Sequence, residues 1–135
     1  MDFNVETNKS FIDKKISDLQ KITDPDNPYT RIVFSKKFYE ARSWLKNEYQ
    51  KLGLLVSTDE AGNLIGTLNS RIKTHKTVII GSHIDTVPSG GRYDGIAGVV
   101  AALCVIKHIN ENGINLPFNL AVYDYLGEEL NDWGI

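Results

Sequence analysis

The feature that most constrains the fold is a short β-branched run, Thr77-Val78-Ile79-Ile80, that passes straight into Gly81-Ser82-His83. The run has no apolar and polar alternation, which is the pattern of a strand buried on both faces. Residues 95–110 then form a largely apolar stretch closed by Asn112-Gly113, and they predict a buried crossover helix. Phe118 to Tyr125 reads as a second strand. Strand, helix and strand in this order predict a right-handed parallel crossover, and so an α/β fold.

The upstream half supplies the elements that pack on this unit. Ser10 and Asp13 form an S-x-x-D capping pattern, and Phe11, Ile12, Ile16 and Leu19 follow at helical spacing, which predicts a helix over 10–22. Asp24-Pro25-Asp26-Asn27-Pro28 stops it and predicts an exposed loop. A second helix begins at a Ser35 cap, carries the stripe Phe38, Ala41, Leu45, Tyr49 and Leu52, and ends at Gly53. Leu54-Leu55-Val56 and Leu64 to Leu68 flank the turn-rich Asp59-Glu60-Ala61-Gly62-Asn63 and predict two short strands joined as a hairpin. Arg71 to Lys76 is a solvated basic turn, and no repeat, low-complexity tract or domain boundary interrupts the chain.

Composition narrows the function. With 41% hydrophobic and 24% charged residues, the 135-residue chain suits one soluble globular unit. Fifteen Lys and Arg against 17 Asp and Glu, with no basic run, argue against nucleic acid and anionic membrane as partners. The longest apolar run, Ile96 to Ile106, is far short of the ~20 residues of a membrane-spanning helix. Met1 to Glu6 lacks the basic head and apolar stretch of a signal peptide. The single cysteine, Cys104, lies in an apolar setting that predicts a buried, reduced thiol, consistent with a cytoplasmic protein. Ser82 and Ser89 sit outside any G-x-S-x-G elbow, and Gly90-Gly91 lacks the Gly-Lys-Ser/Thr of a phosphate loop.

Chemistry concentrates at two strand ends: His83-x-Asp85 after the first and Glu128-Glu129 after the second. Parallel strands bring such ends to one edge of the sheet, where α/β folds bind ligands. Asp94 sits between them, just before the crossover helix. His83, Asp94 and Glu129 together offer an imidazole nitrogen and two carboxylates, a set suited to Zn²⁺ or a similar ion such as Mn²⁺. Asp85 would hold the other ring nitrogen of His83, and Glu128 would serve as a base toward water at the metal. Each residue alone has an ordinary explanation: a hydrogen-bonded histidine, a turn and helix start, a solvated acidic pair. The metal site and these separate structural roles both remain open at this level. His75, in a polar turn, and His108, where the helix dipole favours it, are left outside the site.

The segment Gly81-Ser82-His83-Ile84-Asp85-Thr86-Val87-Pro88-Ser89-Gly90-Gly91-Arg92-Tyr93-Asp94-Gly95 resembles the first metal motif of the M20 peptidase superfamily, in its hydantoinase and N-carbamoylase branch. Thr30 to Ser35 and Asp59 to Gly66 resemble N-terminal segments of the same branch. The resemblance implies the N-terminal part of a zinc-aminopeptidase-like catalytic domain, with a mostly parallel sheet and flanking helices. It implies two divalent ions (Zn, or Mn, Co or Ni), with His83 on one, Glu129 on the other, Asp94 bridging, Glu128 as general base and Asp85 supporting His83. The implied reaction is hydrolysis of C–N bonds in non-peptide linear amides and ureides, such as N-carbamoyl amino acids, ureidopropionate or allantoate. A metallopeptidase of the same superfamily would use the same residues, and a non-catalytic α/β module would keep only the fold.

The family pattern also calls for two further metal-binding histidines and a lid domain that dimerises, neither of which these 135 residues contain. Neither His75 nor His108 matches a missing histidine. The chain is therefore expected to be the N-terminal portion of the catalytic domain, to bind metal partially or not at all, and to have negligible activity alone. An exposed sheet edge prone to association is expected too.

Overall fold

The computed structural model describes residues 5–133. Met1 to Asn4, within the stretch read above as lacking a leader, lie outside the described residues. The order of elements is α1 (Val5–Gln20), α2 (Lys36–Lys51), β1 (Leu55–Thr58), β2 (Leu64–Leu68), β3 (Thr77–Ser82), α3 (Ile96–Glu111) and β4 (Asn119–Asp124). The strands form one sheet in the order β1-β2-β4-β3. The expected β3-α3-β4 unit is present, with β3 and β4 paired in parallel from Thr77↔Asn119 to Ser82↔Asp124.

Local chemistry accounts for most boundaries. The Ser35 side chain accepts the Phe38 N–H and caps α2, while Gly53, at φ +75°, turns the chain out of it. Asp24 Oδ1 accepts the backbone N–H groups of Asp26 and Asn27, which closes the exposed proline loop. Asn63 donates its backbone and side-chain N–H groups to Asp59, at 2.9 Å each, and fixes the hairpin between β1 and β2. Asn112 and Gly113 end α3 as expected.

One apolar core runs between the sheet and the helices. Leu19, Phe38, Leu45, Tyr49, Val99, Leu103, Ile106 and Val122 are wholly buried within it. Each such aliphatic side chain contributes about 1.5–3 kcal/mol by leaving water. Cys104 is buried as expected. Glu48, on α2, is buried between Lys15 and Lys51 and ties α1 to α2. Burial alone would raise its pKa, but the two ammonium groups outweigh it and hold the carboxylate below its usual range.

Three expectations need correction. The first helix starts at Val5 rather than Ser10, so Ser10 and Asp13 are exposed mid-helix residues and not a cap. The sheet is mixed rather than mostly parallel within the described residues: β2 lies antiparallel both to β1 and to β4, because the hairpin inserts its second strand beside the crossover unit. The run Thr77 to Ile80 is not buried on both faces. β3 is an edge strand, and Val78 and Ile79 are exposed. The expected open edge is present at β3, whose β-branched sequence suits a more enclosed position than the described residues provide.

Among the described residues, no helix is long and apolar enough to cross a membrane.

Candidate metal centre

The site forms where β3 and β4 stop. The parallel ladder makes a last backbone bond from Tyr125 N–H to the Ser82 carbonyl, at 2.8 Å, and the two chains then diverge. His83, Ile84 and Asp85 leave β3 in a buried segment, and Gly127, at φ +64°, turns the chain after β4 into Glu128-Glu129. Gly95, at φ +63°, opens α3 so close to His83 that a Cβ there would collide with the His83 carbonyl oxygen and lie 2.5 Å from ring Cε1.

These turns bring the anticipated residues together. His83, Asp94 and Glu129 each present a ligand atom, and the three atoms lie within 4.8 Å of one another. His83 is buried, Glu129 half-buried and Asp94 exposed, so the cluster has a fixed floor and an open mouth. His83 Nε2 lies 3.7 Å from Asp94 Oδ1 and 3.3 Å from Glu128 Oε2. Its Nδ1 is 3.1 Å from the Asp85 carbonyl oxygen and 3.5 Å from Asp85 Oδ1. The ring is thus held on one nitrogen and leaves the other for the cluster. Asp85 also accepts the Glu129 N–H on Oδ2, at 3.1 Å, and so touches both ends of the site. A recess of about 420 Å³ elsewhere, around Thr30, Ile32 and Lys36, shares no residue with the cluster.

The electrostatics suit a cation. Burial raises the Glu129 pKa, and the neighbouring Asp94 charge raises it further. Burial alone would lower the His83 pKa, but the Asp85 side chain and backbone, with the charge of Glu128, outweigh it and carry the imidazole up to about 9. A divalent ion would relieve the crowding of carboxylates and take the place of the imidazole proton. The donor set, one imidazole and carboxylates with a buried orienting aspartate, fits Zn²⁺ or Mn²⁺.

A pH dependence follows. The folded pKa of His83 lies above its unfolded value of about 6.5. The charged ring therefore contributes stability in full below about pH 6.5, and this is lost as pH rises through about 9. Urea melts in chelator are expected to show stability falling over this window, with His83→Asn flattening the fall. An unchanged pH slope in His83→Asn would contradict the assignment.

Several residues that build the site were not singled out in the sequence. Arg31 is buried and donates from Nε to the Ile84 carbonyl, at 2.9 Å, and from an η nitrogen to the Ile22 carbonyl, at 3.1 Å. Burial lowers its pKa to about 10, against the opposing charge of Asp85. Asp124, the last residue of β4, accepts the Ile84 N–H on Oδ1 at 3.0 Å and pairs through Oδ2 with Arg42 Nε at 3.2 Å. Burial raises the Asp124 pKa to about 7, against the opposing Arg42 charge. Asn63 accepts the Leu126 N–H on Oδ1, at 2.9 Å, and braces the turn that leads to Glu128. The visible signal for Asp124 was a lone acid ending an apolar strand, but its partners lie 40 and 82 positions away.

The chain matches no protein-family model. It is 32% identical over 125 residues to a ureidoglycolate hydrolase of Oryza sativa subsp. japonica, a match covering 92% of this chain and 26% of that protein. It is 37% identical over 86 residues to an allantoate amidohydrolase of Bacillus subtilis (strain 168), covering 64% of this chain and 21% of that one. Its fold superimposes on the crystal structure of a hydantoinase/carbamoylase family amidase from Burkholderia ambifaria with a TM-score of 0.84 and 30% identity, over 89% of this chain and 30% of that one. Sequence and fold together define an α/β chain similar to part of known amidohydrolases. More narrowly, it is similar in sequence and fold to part of the hydantoinase/carbamoylase family amidases. The chain spans about a quarter of the length of the curated relatives it matches.

Proposed function

We propose that this chain is the N-terminal part of the catalytic domain of a metal-dependent hydrolase, acting on C–N bonds of linear amides and ureides in the cytoplasm. The observation that carries the reading is the convergence of one imidazole nitrogen and two carboxylates within 4.8 Å at the ends of two parallel strands. In this reading His83, Asp94 and Glu129 would hold the divalent ions. When bound, such ions lower the pKa of the attacking water and polarise the scissile carbonyl. Asp85 fixes the His83 tautomer by accepting Nδ1–H. Glu128 takes a proton from the attacking water at its carboxylate and returns it to the leaving nitrogen, so that water and amide become acid and amine.

The substrate class is supported by the relatives, which are named for ureidoglycolate and allantoate. The three clustered donors do not complete two coordination shells. Turnover is therefore expected of a protein of the relatives' length, as a homodimer, and is negligible for these 135 residues alone. The test is an assay of a protein of that length beginning with this chain, on N-carbamoyl amino acids, allantoate and dipeptides. Ureide turnover is expected, whereas turnover of dipeptides only would replace this reading with a metallopeptidase.

A further inference from the structure

We propose that Asp124 is a positioning residue for the metal centre, acting through the Ile84 amide to fix the direction of His83 Nε2. This rests on the metal-binding reading of His83, Asp94 and Glu129.

Ile84 immediately follows the candidate ligand, and its peptide groups are held on both sides by buried charges. Its N–H goes to Asp124 Oδ1 at 3.0 Å, and its carbonyl accepts from Arg31 Nε at 2.9 Å. If the parallel ladder ran on past the Tyr125-to-Ser82 bond, the Ile84 N–H would go to the Tyr125 carbonyl. The Asp124 carboxylate takes over that bond at the point of divergence. The backbone can then leave the sheet and set His83 over Gly95 without orphaning a buried donor.

Stability gives a reason for an acceptor there, the buried Ile84 N–H, but little reason for a charge. Asp124 is wholly buried, Arg42 half-buried, and their contact is a charge pairing without hydrogen-bond alignment on Oδ2. The ion pair itself is of the kind that apolar side chains replace at little cost, so the cost of the exchange lies in the orphaned Ile84 N–H. Arg42 also donates to the Gly62 carbonyl at 2.8 Å, in the hairpin turn whose Asn63 side chain braces Leu126. The Arg42–Asp124 pair thus links the segment carrying His83 to the turn leading to Glu128 and Glu129. Metal ligands must be placed to within about 0.2 Å, so a small displacement of Ile84 reaches the site.

The test exchanges the pair for apolar side chains, Arg42→Met with Asp124→Leu, in a protein of the relatives' length carrying this chain, with Asp124→Asn as the conservative variant. Co²⁺ affinity and its visible absorption bands are read by titration, and folding by circular dichroism and thermal melting. The double variant, which leaves the Ile84 N–H without its acceptor, is expected to fold with a lowered Tm and to bind Co²⁺ about 10–100-fold more weakly, with altered bands. Asp124→Asn, which retains an acceptor for Ile84, is expected to bind within about threefold of the parent. A folded double variant with parental affinity and bands would overturn the inference, as would a folded Asp124→Asn that loses affinity tenfold. If the parent protein of that length binds no Co²⁺ at all, the metal-binding reading itself fails, and this inference with it.

Discussion

Replacing Glu128 by glutamine, in a protein of the relatives' length carrying this chain, is expected to lower turnover of a ureide substrate by about 10²–10⁴-fold. Bound metal should stay within about twofold of the parent. The glutamine keeps the size and polarity of a side chain that lies 3.3 Å from His83 Nε2, but it does not accept the proton of water. Glu129→Gln is the informative partner, because it should weaken metal binding and turnover together. The adjacent carboxylates both reach the cluster, and steady-state kinetics with metal analysis separates their roles. If Glu128→Gln loses metal and Glu129→Gln keeps it, the two roles are exchanged. Near-normal turnover in Glu128→Gln would remove it as the base.

The second large effect concerns Gly95. Alanine there must adopt φ near +63°, and its Cβ would strike the His83 carbonyl oxygen while lying 2.5 and 2.6 Å from ring Cε1 and Nδ1. A left-handed backbone costs an alanine about 1–2 kcal/mol, and forcing a methyl into a filled space costs about 1–3 kcal/mol more. The site has no easy way to yield, since the nearest atom is backbone and the ring is held by Asp85. A fall in Tm of roughly 10 °C is expected from a loss of about 3 kcal/mol, read by circular dichroism. A Tm within about 2 °C of the parent would show that the close approach is absent in solution.

The sequence was most informative where one residue type answers one local need. Ser35 and Gly53 delimit α2, Asp59 to Asn63 make the hairpin, and the apolar run of α3 lies between parallel strands. The cluster was legible for the same reason: strand ends followed by His83-x-Asp85 and Glu128-Glu129 meet whenever the strands are parallel neighbours. The start of α1 was misplaced because an S-x-x-D pattern looks the same capping a helix or exposed on its side. The exposure of Val78 and Ile79 was missed because β-branched composition records what a strand tolerates, not whether another strand lies beside it. Arg31, Arg42 and Asp124 were hidden by their ordinary identities. Only the tertiary fold places one guanidinium on the Ile84 carbonyl and one carboxylate on its N–H.

The most direct test of the metal centre is isothermal titration of Zn²⁺ into a protein of the relatives' length carrying this chain and into its His83→Ala variant near neutral pH, with folding verified by circular dichroism. Binding by the parent protein, with affinity reduced at least tenfold in a folded His83→Ala, is the result expected if His83, Asp94 and Glu129 form the site. Equal Zn²⁺ affinity in the two proteins, or no binding by the folded parent, would contradict it.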